Sequence, residues 1–406
     1  PSAMMALTSP MLRMIRALGV NLQWGLAGLF NVGVMGFVAL GGLAVVLTSV
    51  APVPEAWAAG GWRVLGAIAF ALAAIAGAVF AWKTLPRKTR GWAVAAIAVV
   101  GFFLYRAILD PAVSAIESVD PAATGFLGGL GLPVLLAWPV GGLLAAGVAW
   151  VIGKTALGLR SDYLAIATLG IAEIILALLK NEDWLTRGVK NVIGLPRPVP
   201  YEIDLQNDAG FVETAAGIGL DPTTASTIYV KLGYSVLFAV VLVVLLVLAQ
   251  LALNSPWGRM MRAVRDNEEA AEAMGKDVTA RHLQIFILGS ALCGIAGAMM
   301  TTLDGQLTPS SYQPLRYTFL IWVMVIVGGS GNNLGAVLGG FLIWFLWVQV
   351  EPMGQWLMGV ITAGMADGSA LKAHLLGSVQ HMRLLTMGVI LLLVLRFAPR
   401  GLLPER

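Results

Sequence analysis

The chain has 406 residues, 58% of them hydrophobic and only 12% charged, with a net charge of +4 and a mean hydropathy of +0.83. A soluble domain carries about twice that charged fraction, so a soluble fold is excluded and a polytopic membrane protein is implied. The single cysteine, Cys293, lies in an apolar run, which excludes an internal disulfide and a cysteine metal site. There is no nucleic-acid footprint. Backbone in a bilayer core must close its hydrogen bonds within helices or a barrel, and the long unbroken apolar runs favour helices. The expected architecture is an all-α transmembrane bundle of about nine to eleven spans, forming one domain over residues 1–406.

Arg13 and Arg16 precede the first apolar region, about Ala17 to Ser49, which by the positive-inside rule puts the N-terminus in the cytoplasm. That region is too long for one straight span and short for two. It is studded with glycines, among them Gly25, Gly28 and Gly33, and carries Asn21, Gln23 and Asn31. Small residues let helices approach closely, and intramembrane amides face a bundle interior or a cavity, so packing and path lining are both open. Its first segment can insert unaided, so no cleavable signal is needed.

Two spans follow, about Trp62–Trp82 and Gly91–Ile108, joined by Lys83, Arg87, Lys88 and Arg90 on the inside and followed by Asp110, Glu117 and Asp120 outside. For both loops to sit so, the N-terminal region crosses an odd number of times, as one full crossing plus a broken or re-entrant piece. The next span, Gly128–Ile152, returns inside, where Lys154 and Arg160 mark the loop. Gly153-Lys154-Thr155 lacks the upstream glycine spacing and the strand–loop–helix setting of a phosphate-binding loop, so ATP hydrolysis by this chain is not expected. In the span SDYLAIATLGIAEIILALL, Glu173 is the clearest intramembrane acid; it reads either as a structural pair or as part of a transport path.

Residues 181–228 form a polar, acidic loop expected outside. Tyr229–Leu253 crosses inward to the charged segment 254–282, which must be a cytoplasmic loop. Ser255-Pro256 can start a helix there and Gly275 can stop one, with Arg262, Arg265 and Glu269 on one face. Leu283–Leu303 leads out again. Tyr317–Val327 and Leu334–Val350 flank a polar break at Gly328-Gly329-Ser330-Gly331-Asn332-Asn333, as in discontinuous helices that line a path. The stretch with Glu351, Lys372, His374 and His381 is expected outside. The last span, Arg383–Val394, ends in a tail whose Arg396, Arg400 and Arg406 put the C-terminus inside. The region up to Ser49 and the hairpin near Tyr317–Val350 share their pattern, which suggests corresponding parts of an inverted repeat with broken helices.

Read together, four blocks resemble the branched-chain amino-acid type of ABC importer permease, its M-type subunit. They are NLQWGLAGLFNVGVMGFVALGG, GLRSDYLAIATLGIAEI, the run from SPWGR through EAAEAMG to FILGSALCGIAGAM, and VMVIVGGSGNNLGAVLGG with its APRGL tail. The second and third are specific and the others supportive, over about two thirds of the chain. The family's first block usually carries a polar residue and a histidine near Val32 and Val34, so the substrate-side chemistry is in doubt. Residues 52–125 look like a two-helix insertion, by default a lateral packing element. The resemblance implies a bacterial inner-membrane transport subunit with no catalysis of its own. It implies that Arg259, Arg262, Arg265, Glu268, Glu269, Ala270, Ala271 and Gly275 form the "EAA" loop that couples to the ATPase. It places Asn21, Gly25, Gly28, Asn31, Gly33, Tyr163, Thr168, Glu173, Gly329 and Asn332 along the translocation path. The implied partners are an H-type permease, two cytoplasmic ATPases that bind ATP and Mg, and an extracytoplasmic binding protein. The implied cargo is a branched-chain or other small amino acid, with urea, short amides and small carboxylates open.

Two rivals need no partners. A secondary transporter or channel would explain the helices and Glu173, but normally needs more intramembrane charge and leaves the coupling loop unexplained. Gly328-Gly329-Ser330-Gly331 fits the pattern of an intramembrane serine hydrolase, yet His282, His374 and His381 all lie in loops or at span ends, away from a serine needing a base.

Overall fold

A computed structural model describes residues 2–120, 125–159, 161–365 and 369–405. Arg160 and Arg406, read above as cytoplasmic flanks, lie outside the described residues. The main helices are α1 (Ser2–Ala27), α2 (Val34–Ser49), α3 (Trp62–Thr84), α4 (Arg90–Glu117), α5 (Val134–Ala156), α6 (Ser161–Asn181), α7 (Pro222–Asn254), α8 (Pro256–Asp266), α9 (Glu268–Ala273), α10 (Val278–Asp304), α11 (Pro314–Gly328), α12 (Asn333–Thr362) and α13 (Met382–Phe397). Seven helices are long and apolar enough to cross a membrane, and the bent pair Ala370–Gly377 and Met382–Phe397 makes an eighth. The expected nine to eleven is reached only by adding α1 and the shorter α2 and α11. This is a multi-pass membrane protein, helical but for one two-residue strand pair, Val192–Ile193 with Gln306–Leu307, among the described residues. That pair ties the 181–228 loop to the end of α10.

Helix α10 is the hub, packed against α1, α2 and α5. Its glycines make this possible. A Cβ on Gly294 would overlap the Gly141 carbonyl of α5, and one on Gly297 would overlap the Val38 carbonyl of α2. On the α1 side, Gly289 meets Gly19 and Gln23. Where lipid tails are as apolar as leucine, such backbone approach is what gives helices a preference for one another. Helices α3 and α4 pack mainly on each other, with Val64 and Ala67 against Leu109, Ala112 and Ile116. Trp62, Phe80, Trp92 and Phe103 are exposed around them, as suits a lipid-facing hairpin at the edge of the bundle.

Three sequence expectations change. Arg13 and Arg16 are not a solvated flank. Both lie within α1, Arg16 only 3% exposed and bonded to Met300. The N-terminal end of α1 therefore sits beside the end of α10, whereas Gly25 and Gly28 near its other end meet Arg265 of α8. The N-terminal end and the charged 254–282 segment thus lie at opposite ends of the bundle. The positive-inside rule counts exposed charge, and Arg16 is buried while Arg13 is half-buried. Second, the glycine-rich hairpins α1–α2 and α11–α12 turn at the same end, with Gly25 against Gly331, the relation of parallel rather than inverted copies. Third, Glu351 is not in a loop: α12 continues to Thr362, and Glu351 ion-pairs with Arg383 at the start of α13.

Candidate functional site

The charged segment folds as two helices rather than one. Ser255 caps α8 through its Oγ, which accepts from Gly258 N at 3.4 Å, and Pro256 takes the first helical position. The helix stops at Asp266 because Asn267 adopts an extended conformation and its side chain accepts from Ala270 N at 2.9 Å, capping α9. An asparagine before two glutamates is an N-terminal signal that three-and-four spacing overlooks. As a result Glu269 does not share a face with Arg262 and Arg265. Glu268, Glu269, Ala270, Gly275 and Arg259 are exposed, while Ala271 turns inward against Val264 and Val278. Gly275 has φ +75 and ends α9.

Arg265 points into the bundle. Its Nη1 donates to the carbonyl of Gly25 in α1 and to Glu405 Oε2 at 2.7 Å. Burial opposes its charge, but the hydrogen bonds to Glu405 and Asp266 outweigh that and hold its pKa above the ordinary value. Arg262 reaches Glu405 at 4.0 Å. The tail that carries Glu405 is itself fixed: Leu402 N and Leu403 N donate to Val327 O and Gly328 O, both at 2.9 Å. Gly329 (φ +115) and Gly331 (φ +87) let the turn between α11 and α12 fold against it, in backbone conformations that other residues rarely adopt. Asn21 closes the junction, accepting from Gly331 N at 2.8 Å and donating to Asn333 at 3.1 Å, while Asn333 donates to Gln250 of α7 at 3.4 Å. Asn332 caps α12 through Leu334 N and Gly335 N. A groove of about 560 Å³ opens beside it, lined by Gln250, Asn254, Arg262, Asn332 and Glu405 among others.

A second cluster holds the break between α1 and α2. Asn31 donates to Gln23 at 2.9 Å, and Gln23 donates to Phe286 O and Ser290 of α10. Thr168 of α6 accepts from Val32 N at 3.1 Å, and Gly33 packs on Thr168. Trp322 donates to Asn31 O at 3.2 Å and stacks edge-on with Trp24 and Phe30. Of the residues assigned to a path, Asn21, Gly25, Asn31, Gly33, Thr168 and Gly329 are thus buried in helix packing, and Gly28 is exposed beside Arg265. Tyr163 and Glu173 face outward from α6. Glu173 lines an open groove of about 740 Å³ with Lys180, Arg316, Phe319 and Leu384. Glu405, Gln250 and Trp322 escaped the sequence reading, because a tail residue, a lone amide and one tryptophan among 13 carry no local signal. Among the described residues no group of His, Cys, Asp and Glu could hold a metal.

Residues 112–395 match the family described as the branched-chain amino acid transport system / permease component. The high-affinity branched-chain amino acid transport system permease protein LivM of Escherichia coli is 27% identical over 272 residues, 66% of this chain and 56% of that protein. The probable branched-chain amino acid transport permease protein LivM of Methanocaldococcus jannaschii is 29% identical over 154 residues, 38% of this chain and 41% of its own. The fructose import permease protein FrcC of Rhizobium meliloti is 30% identical over 125 residues, 29% of this chain and 35% of its own. The chain spans about half the length of the curated relatives it matches. No solved structure matches it.

Proposed function

This chain belongs to the family of branched-chain amino acid transport system permease components, and on that premise we propose that it forms one membrane half of an ATP-driven importer for a branched-chain or related small amino acid. In this reading an H-type permease is the other half, two cytoplasmic ATPases bind the ATP and Mg, and an extracytoplasmic protein delivers the cargo. The chain itself does no covalent chemistry. The membrane is the bacterial inner membrane, with α8, α9 and the C-terminal tail on the cytoplasmic side. Residues 1–406 act as a single permease domain, in which residues 52–125 are an edge hairpin in lipid and 181–228 the extracytoplasmic landing surface.

The observation that carries the reading is the junction at Arg265. A surface helix pair, α8 and α9, presents Glu268, Glu269 and Ala270 to solvent while Arg265 grips the end of α1 and the tail. A push on α9 is thereby transmitted to the turns of both glycine-rich hairpins, α1–α2 and α11–α12. That arrangement suits a lever between an ATPase and a path, and a self-contained channel has no use for it. Relatives with sugar cargo share part of the sequence, so the branched-chain assignment rests on the broader match to the M-type proteins. The test is uptake of labelled leucine into liposomes holding the co-purified complex, with ATP inside or outside the assay. ATP-dependent uptake supports the proposal; equal uptake without ATP makes the chain a secondary transporter or channel.

A further inference from the structure

Two arginines lie inside the bundle with too little negative charge to balance them. Arg16 is 3% exposed, donates from Nη2 to the thioether of Met300 at 2.7 Å, and its Nε has no partner. Arg13, one turn earlier, sits over the Trp344 ring at 3.0 Å and donates to Ser9 O at 3.3 Å. Neither is ion-paired among the described residues. Both line a cavity of about 210 Å³ at the end of the bundle away from α8, together with Asp304, Ser311 and Tyr317. One carboxylate faces two guanidinium groups, which leaves the cavity one positive charge in excess. An uncompensated charge inside a bundle is expensive, and an unsatisfied guanidinium N–H adds to it. Water alone relieves the hydrogen bond but not the charge. At about 30 Å³ per water, the cavity has room for a small organic anion.

We propose that Arg13 and Arg16 form a binding site for a small carboxylate. The guanidinium plane of Arg16 suits a carboxylate's two oxygens, the hydroxyl of Tyr317 can donate to it, and Leu12, Met35 and Leu303 line the apolar remainder. The identification of that anion with the carboxylate of an imported amino acid rests on the importer reading; the site itself does not. An amino acid entering from the end away from α8 would meet this charge before the junction at Arg265.

The probe is isovalerate, with its neutral isostere 3-methylbutanamide and chloride at matched ionic strength as controls. Melting temperatures of the full chain purified in detergent report binding without ATPases, binding protein or transport, so failure here leaves the uptake assay untouched. Isovalerate is expected to raise the melting temperature, while the amide and chloride do not. Arg16→Gln should weaken the isovalerate response about tenfold or more in concentration, the loss of a charge-assisted hydrogen bond. Asp304→Asn should strengthen it by removing the competing carboxylate, and it decides the matter if Arg16→Gln does not fold. Equal shifts with the amide, a chloride shift as large as isovalerate's, or an isovalerate response unmoved by either substitution would overturn the site.

Discussion

Replacing Arg265 by methionine keeps an unbranched apolar stem and removes every hydrogen bond that Arg265 makes at the junction. Arg265 and Glu405 are about a quarter exposed, 25% and 26%, so water screens part of their attraction. A hydrogen bond to a charged partner contributes about 1.5–3 kcal/mol, and Arg265 makes two into the junction, to Gly25 and Glu405. After discounting for solvent, the pair with Glu405 is expected to couple by about 1–2 kcal/mol and the whole substitution to cost about 2 kcal/mol. Two kcal/mol is about 30-fold in the balance between a seated and a released α8. A double-mutant cycle of Arg265→Met and Glu405→Gln, read by unfolding in mixed micelles, measures the coupling directly. The same Arg265→Met chain in the assembled complex should lower cargo-stimulated ATP hydrolysis by an order of magnitude or more. Additivity of the two substitutions within about 0.5 kcal/mol, with normal stimulated hydrolysis, would refute the junction as a lever.

Gly294→Val places a side chain against the Gly141 carbonyl and should destabilise the chain by about 1–3 kcal/mol or more, seen as a lower melting temperature; Gly66→Ala, with nothing within 4 Å, should be neutral or slightly stabilising. Asn21→Leu strands Gly331 N and the side-chain oxygen of Asn333 and should cost about 1–3 kcal/mol in the same assay. Asn267→Ala removes the cap of α9, costing about 1 kcal/mol locally, which hydrogen exchange at Ala270 should report as loss of protection.

Much of the bundle is legible in the sequence because lipid makes helices obligatory and hydrophobic length marks them. The break at Gly328 to Asn333, the start of α8 at Ser255-Pro256 and the end of α9 near Gly275 all follow from local chemistry that lipid and water do not alter. Sidedness at the N-terminal end did not follow. Arg13 and Arg16 have the composition of a solvated flank, and only tertiary contact with Met300 and Trp344 shows that they are inside. The split at Asn267 was missed because helical spacing was extended through a capping residue. The path residues follow from the resemblance and from residue type alone, and most of those amides and glycines spend their hydrogen bonds and surface on each other. Helix–helix contacts of that kind depend on residues hundreds of positions apart, such as Asn21 with Asn333, which one sequence cannot pair.

The most direct test of the coupling claim is made on the complex purified from its native membrane in mild detergent. Co-purifying ATPases are assayed with the wild-type chain and with Glu269→Lys, which reverses a charge exposed on α9 without touching the core. Associated ATPases whose assembly or cargo-stimulated rate is lost in Glu269→Lys are the predicted result. A chain that comes down alone, or a complex whose rate is indifferent to Glu269→Lys, would contradict it.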